Sequence, residues 1–190
     1  AVIEFIVKQA GLKLFNVALN SINGGSIRCY ATHGNNFPSK QDLFIENIKR
    51  MRQDEFDLEL DTDKPYKHFQ DKINVHREEL MALLKKLKKE GKKIHVYGAS
   101  TKGNTILQWC GIDSRMIDVA AERNPDKYGA FTLGTDIPIV SEADSRAMAP
   151  DYYLVLPWHF KNEFVERERE MIDKGVGLIF PLPTIEIIKK

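Results

Sequence analysis

The sequence contains only two cysteines, Cys29 and Cys110, and they lie far apart in the chain. That usage predicts reduced thiols in a cytoplasmic protein and argues against a disulfide framework. No apolar run approaches the roughly 20 residues of a membrane-spanning helix, and no signal peptide is visible. The net charge is only +1, which excludes the basic surface typical of nucleic-acid or anionic-membrane binding. No Cys-x-x-Cys or His-rich cluster predicts a metal site.

The chain also lacks an initial methionine. Residues 1–11 have the pattern of a helix that is already under way and ends at a glycine, so we expect a missing part to precede Ala1. Two strands are predicted at 12–19 and 27–31, and Asn23-Gly24-Gly25 between them is a strong turn signal. Residues 1–33 are therefore predicted to be the end of a sheet domain.

A linker with one amphipathic helix is predicted for residues 34–64. Its helix begins where Ser39 precedes Asp42 at the spacing of a capping box. A long helix then starts at Pro65 and ends at Gly91, and its apolar residues recur every three or four positions. Residues 65–190 are predicted to form the C-terminal domain.

From Lys92 onward, short apolar strands alternate with helices. Strands are predicted at 93–97, 116–121, 137–140, 152–156 and 177–180, with helices at 103–110, 142–148 and 160–174 between them. This alternation predicts an α/β fold, a Rossmann-like doubly wound parallel sheet covered by helices on both faces. Ligands of such a sheet bind at the carboxyl ends of the strands.

A glycine loop, Tyr97 to Asn104, lies between the first of these strands and its helix. Backbone N–H groups at such a turn are aimed outward, and the helix dipole and Lys102 add positive charge, so the loop is predicted to bind phosphate. Only Gly98 and Gly103 are present, with no third glycine for close helix packing, and Lys102 precedes Gly103, unlike a Walker loop. The alternative is a tight turn without a ligand.

Polar residues follow two other strands. Glu122 lies where ribose hydroxyls are often held, and Arg123 beside it is a candidate for phosphate; the alternative is a surface ion pair. The loop that starts at Lys127 either closes over a ligand or merely connects two strands. Trp158 and His159 follow the fourth strand, and an aromatic ring there is suited to stacking on a base or sugar, whereas Phe160 is predicted to belong to the core. No nucleophile–base pair can be placed, so binding is better supported than catalysis.

In combination, these motifs resemble the C-terminal domain of the sugar C-methyltransferase family. The resemblance covers nearly the whole chain and rests on segments in the family's order: Tyr97-Gly-Ala-Ser-Thr-Lys-Gly-Asn-Thr-Ile-Leu, Cys110-Gly-Ile, Ile117-Asp118, Arg123-Asn-Pro-Asp-Lys-Tyr-Gly, Gly134-Thr-Asp-Ile-Pro-Ile, Pro150-Asp-Tyr, Leu156-Pro-Trp-His-Phe and Phe180-Pro-Leu-Pro. Residues 1–33 look like the end of the family's methyltransferase domain.

The resemblance implies methylation of carbon on a nucleotide-linked keto-deoxysugar by S-adenosylmethionine. It also implies that the methyl-donor site, the acid–base residues and a zinc-binding module lie before Ala1, and that this domain packs on the missing methyltransferase domain. The nucleotide-sugar-binding residues would be Tyr97, Ser100, Thr101, Lys102, Asn104, Glu122, Arg123, Lys127, Trp158 and His159. The alternatives are a ligand-free duplicated Rossmann unit with a structural or oligomerisation role and a stand-alone nucleotide-binding module.

Overall fold

A computed structural model of the chain describes residues 1–34, 36 and 41–190. The capping interaction predicted between Ser39 and Asp42 lies outside the described residues. Internal contacts divide the chain into two compact units, Ala1–Asp71 and Lys72–Lys190. None of the helices in these described ranges has both the length and the apolar composition needed to cross a bilayer.

The first unit contains an antiparallel hairpin and flanking helices. Its elements are α1 (Val2–Gln9), β1 (Leu12–Asn20), β2 (Ser26–His33) and α2 (Gln41–Asp57). The predicted turn joins the two strands, where Asn23, Gly24 and Gly25 all have positive φ angles. Such angles favour glycine and asparagine over other residues, which explains why this tripeptide is found there. The long helix α3 (Lys64–Lys89) follows.

The second unit is built on a six-stranded sheet within the described residues. Its elements are β3 (Ile94–Tyr97), α4 (Thr101–Cys110), β4 (Ala120–Glu122), β5 (Ile139–Ser141), α5 (Glu142–Ala147), β6 (Tyr152–Val155), α6 (Lys161–Arg167), α7 (Arg169–Asp173), β7 (Gly177–Phe180) and β8 (Glu186–Ile188). The spatial order is β5-β4-β3-β6-β7-β8. All neighbours are parallel except β7 and β8. This is the strand order 3-2-1-4-5-6 of a Rossmann fold, so the predicted fold class is confirmed.

Apolar side chains cover both faces of the sheet. Along β3, Ile94 and Val96 belong to a cluster that includes Leu84 of α3 and Leu107 of α4. The alternate residue Tyr97 belongs to a second cluster, against which Phe164 of α6 packs. Successive side chains of a strand point to opposite faces, and each fully buried aliphatic or aromatic side chain stabilises the fold by about 1.5–3 kcal/mol. The unbroken apolar strands seen in the sequence are therefore explained.

Three elements differ from the sequence-based prediction. The strand predicted at 116–121 is confined to Ala120–Glu122, because the amides of Met116 and Ile117 donate to the Asp113 carbonyl and form a turn. The helix predicted at 160–174 is divided into α6 and α7 at Glu168. The antiparallel edge strand β8 was not predicted at all.

Candidate functional site

A cleft of about 420 Å³ lies at the carboxyl ends of β3, β4 and β6. This is the point at which the strand order reverses, because β4 and β6 lie on opposite sides of β3. Open α/β sheets bind their ligands at this position, and the volume is within the range of small-molecule sites. Six charged residues line the cleft: Glu122, Arg123, Lys127, Glu142, Glu163 and Arg167.

Steric contacts explain why both of these loop positions are occupied by glycine. Gly98 has a φ of 86°, and a Cβ there would lie 2.7 Å from Cγ of Pro157. Gly103 is helical, and a Cβ there would lie 2.6 Å from Cβ of Leu156. The sequence-based statement that no glycine occupies the helix-packing position is therefore wrong, since Gly103 has that role. The loop has the spacing of a dinucleotide fingerprint, G-x-S-x-x-G, with Ser100 in place of the central glycine.

The amides of this loop are only partly available to a ligand. The Gly98 amide donates to the Ala121 carbonyl at 2.8 Å, and the Gly103 amide donates to the Ser100 hydroxyl at 3.1 Å, which caps α4. The Ala99 amide donates to the Glu122 carboxylate at 3.0 Å. Among the described contacts, the Ser100 and Thr101 amides have no protein acceptor. Of the N–H groups that the sequence predicted to face a ligand, these two stay candidates.

Glu122 ties the end of β4 to the glycine loop. Its carboxylate accepts from the amides of Ala99, Arg123 and Asn124 and from the Lys127 ammonium, at 2.8–3.2 Å. Burial opposes ionisation, but the amides of Asn124 and Arg123 and the Lys127 charge outweigh it, so the pKa of Glu122 is lowered. Lys127 also donates to the Ala99 carbonyl at 3.0 Å. Both residues hold the loop in place, and their ligand-binding roles stay predictions.

Arg123 differs from Glu122 and Lys127, whose side chains are bound by other groups of the protein. Its amide and carbonyl are hydrogen-bonded, the carbonyl to the Tyr128 hydroxyl at 3.2 Å. Its guanidinium has no hydrogen bond or ion pair to any residue that the structure describes. Because it is exposed and lines the cleft, it is a cation that can bind an anionic ligand without first breaking an internal salt bridge.

The loop from Lys127 to Pro138 is fixed to the body of the second unit. The Gln108 side chain donates to the Leu133 carbonyl at 2.7 Å. The buried hydroxyls of Thr132 and Thr135 are 2.7 Å apart, and the first also accepts from the Ile137 amide. These contacts favour the connecting-loop interpretation over a closing lid.

The residues predicted after β6 have different environments. Trp158 packs against the second core cluster. His159 is partly buried, and its pKa is lowered by burial and by the nearby charge of Lys102, with Glu163 acting in the opposite direction. The charge of Lys102 is thus close enough to affect the pKa of His159, but neither side chain is among those that line the cleft. Buried side-chain atoms of His159 (Nδ1) and Asn104 (Oδ1) lack a hydrogen-bond partner among the described residues.

Phe160 was predicted to be a core residue, and this is wrong. It is 44% exposed and lines the cleft, at the end of the short 3-10 turn Trp158–Phe160. Glu163 on the first turn of α6 also lines the cleft. The rule that ligands bind at strand carboxyl ends could have drawn attention to both, since α6 begins directly after β6.

The sequence analysis also missed a charged network around Tyr97. The Tyr97 hydroxyl donates to the buried Glu168 carboxylate at 2.6 Å and accepts from Arg146 and Arg167 at 2.9 and 2.8 Å. Both arginines also contact Glu142 at 3.2 Å. Burial and the Glu168 carboxylate raise the pKa of Tyr97, so its hydroxyl stays protonated. The network has two positive and two negative side chains, and three of its members, Tyr97, Glu142 and Arg167, line the cleft.

Residues 21–183 match the family model of the C-methyltransferase C-terminal domain, and the chain belongs to that family. It is 28% identical over 184 residues to the C-methyltransferase NovU of Streptomyces niveus. The match covers 96% of this chain and 43% of that protein, so the chain spans less than half the length of its curated relative. The resemblance to the C-terminal part of a C-methyltransferase, predicted from the sequence motifs, is confirmed.

Proposed function

We propose that this chain is the C-terminal part of an S-adenosylmethionine-dependent enzyme that methylates carbon of a nucleotide-linked keto-deoxysugar. In this proposal the second unit binds the nucleotide sugar and presents it to the catalytic part of the enzyme. The observation that carries the proposal is the cleft at the switch point, which Ser100 and Arg123 line. The Ser100 amide and the Arg123 guanidinium, neither of them paired within the described residues, are available there to phosphate oxygens. The family membership supports the reaction class.

The residues of the second unit do not fit the methyl donor. An adenosine ribose would need acceptor groups at the end of β4, but the Glu122 carboxylate there already accepts four hydrogen bonds from the protein. The central glycine that lets a ligand approach a dinucleotide-binding loop is replaced by Ser100. In this proposal S-adenosylmethionine and the acid–base groups belong to the catalytic part of the enzyme and not to the second unit.

The contribution of this unit is positioning. Methyl transfer to carbon requires removal of a proton beside the keto group and alignment of the resulting enolate carbon with the methyl group. Holding a substrate in such an alignment supplies a large share of enzymatic rate acceleration. A unit that binds the phosphates and the nucleoside keeps the sugar in one orientation without touching the reacting carbon.

A second candidate is a ligand-free unit that packs on the methyltransferase domain or on another subunit. The observation in its favour is that the protein already uses three of the loop amides. The two functions differ in calorimetry of this chain. The substrate-binding function predicts heat with a deoxythymidine diphosphate sugar and none with S-adenosylmethionine, whereas the structural function predicts no heat with either.

The substitution Lys102→Ala gives a second test of the substrate-binding function. It should weaken binding of the nucleotide sugar by roughly 1–3 kcal/mol, the range of a charge-assisted hydrogen bond. Lys174→Ala removes an exposed lysine after α7 and serves as the matched control. An unchanged affinity in Lys102→Ala, or an equal loss in both variants, would contradict a role of the glycine loop in phosphate binding.

A further inference from the structure

The charges that line the cleft are mostly neutralised within the protein. Lys127 is paired with Glu122, and Arg167 is paired with Glu142. Glu142 is also paired with Arg146, which completes the network around Tyr97. A ligand that used any of these groups would first have to replace an existing ion pair.

Two lining residues remain, one of each sign. The guanidinium of Arg123 and the carboxylate of Glu163 make no hydrogen bond or ion pair within the described ranges of the chain. Arg123 follows β4 and Glu163 belongs to α6, so they come from separate elements around one cleft. The cleft therefore offers a ligand a cation after β4 and a hydrogen-bond acceptor on α6.

The carboxylate at the end of β4 cannot serve a ligand hydroxyl in its present state. A carboxylate has about four lone-pair sites, and those of Glu122 face four protein donors. In this fold an acidic residue often accepts hydrogen bonds from sugar hydroxyls. Because Glu122 is occupied, that role needs another carboxylate among the residues that line the cleft. Glu163 is the one without protein donors.

An aromatic ring lies close to Glu163 in the sequence and lines the same cleft. Phe160 is three residues away and exposes 44% of its surface. An exposed ring offers an apolar face to the C–H side of a sugar, and a carboxylate accepts strong hydrogen bonds from its hydroxyls. Together, Phe160 and Glu163 can contact both the apolar face and the hydroxyls of a sugar ring.

We propose that Glu163 accepts a hydrogen bond from a sugar hydroxyl of the ligand while Arg123 binds its phosphate. This assignment rests on the proposed function and gives the nucleotide sugar a direction in the cleft. The hydroxyl belongs either to the pentose or to the hexose of the ligand, and the two sources share the same chemistry at Glu163.

The test is an NMR titration of the 190-residue chain with inorganic pyrophosphate, deoxythymidine diphosphate and deoxythymidine diphosphate glucose. Arg123→Ala should weaken binding of all three ligands by about 10-fold, since each carries the phosphate that the guanidinium contacts. Arg115→Ala is its control, because Arg115 is exposed and pairs with Asp113 away from the cleft.

Glu163→Ala should leave pyrophosphate binding unchanged or slightly tighter, because a negative charge is removed and no hydroxyl is present. It should weaken the hydroxyl-bearing ligand by about 10-fold, the scale of a hydrogen bond to a charged group. Equal losses for the diphosphate and the diphosphate sugar assign the pentose hydroxyl, and a loss for the diphosphate sugar alone assigns the hexose. Glu166→Ala, an exposed position on the same helix, is the control.

The outcomes separate this assignment from the proposed function. If the wild-type chain binds none of the three ligands, the proposed function fails and this assignment fails with it. If Arg123→Ala weakens binding but Glu163→Ala behaves like Glu166→Ala for every ligand, the proposed function stands and the role of Glu163 is overturned.

Discussion

His95 is a fully buried histidine in β3. Its Nδ1 lies 2.8 Å from the Ser145 hydroxyl, which is in turn 2.9 Å from the Tyr153 hydroxyl, and its Nε2 has no partner in the part of the chain that the structure describes. Burial lowers the pKa of His95 to about 4, and the charge of Asp118 opposes this shift. The imidazole is therefore neutral at physiological pH and acts as a hydrogen-bonded core residue.

His95 should make the stability of the protein depend on pH. In the unfolded chain a histidine has a pKa of about 6.5, so between that value and about 4 the unfolded chain binds a proton that the folded chain does not. Stability is then full above pH 6.5 and falls by about 3 kcal/mol as the pH is lowered to 4. We expect His95→Phe to remove this part of the pH dependence in urea unfolding curves measured from pH 7 to pH 4.

A control for this experiment is His68→Gln, at an exposed position on α3. It should retain the wild-type dependence on pH. Parallel pH profiles for the wild-type and His95→Phe proteins would show that the proton uptake arises at other groups.

The break between α6 and α7 shows how one side chain shapes an element. Glu168 has φ −97° and ψ 16°, outside the helical range, and its side chain is only 3% exposed. Its carboxylate contacts Tyr97, Arg146 and Arg167. The residue at the break is thus the one that links these helices to β3 and α5.

Replacing Glu168 should test this link. Glu168→Gln keeps the size of the side chain but removes the charge between Arg146 and Arg167, which leaves two cations with Glu142 alone. Breaking a buried ion pair costs about 3–5 kcal/mol, and because both arginines are partly exposed we expect a loss of about 2–3 kcal/mol in the free energy of unfolding. Chemical denaturation at pH 7 measures it.

Glu170→Gln, an exposed change on α7, is the matched control and should alter stability by less than about 0.5 kcal/mol. If the two variants have the same free energy of unfolding, the network around Tyr97 does not stabilise the fold. Tyr97→Phe, which removes one hydroxyl from the network, should have an intermediate effect of about 1 kcal/mol.

At the scale of the whole molecule, the features that could be predicted from the sequence are those that depend on local residue patterns. Alternating strands and helices gave the Rossmann-like sheet, and the position of the glycine loop gave one wall of the cleft. Contacts between distant residues were not predictable, since Tyr97 and Glu168 are 71 positions apart and no periodicity connects them. The same holds for the hydrogen bond from Ala99 to Glu122. The edge strand β8 was missed because a three-residue strand has too little pattern to recognise.

The two units differ in how much apolar surface they bury. Among the described residues of the first unit, only Val17 and Ile48 are buried hydrophobic side chains. Helix α1 has no buried residue, and Phe5 and Ile6 on it are 63% and 59% exposed. The second unit contains both core clusters. A two-stranded hairpin with so small a core is marginally stable in water.

This difference predicts a division in hydrogen exchange. Amides of β3, β6 and β7 should exchange only on global unfolding, whereas those of β1 and β2 should exchange at least about 100-fold faster through local opening. Exchange of the 190-residue chain followed by NMR gives both rates in one sample, with each strand amide compared to its own intrinsic rate. Equal protection of the hairpin and of β3 would mean that the first unit is stabilised by something other than its buried apolar side chains. Slow exchange confined to the sheet of the second unit would agree with the small number of buried apolar side chains in the first unit.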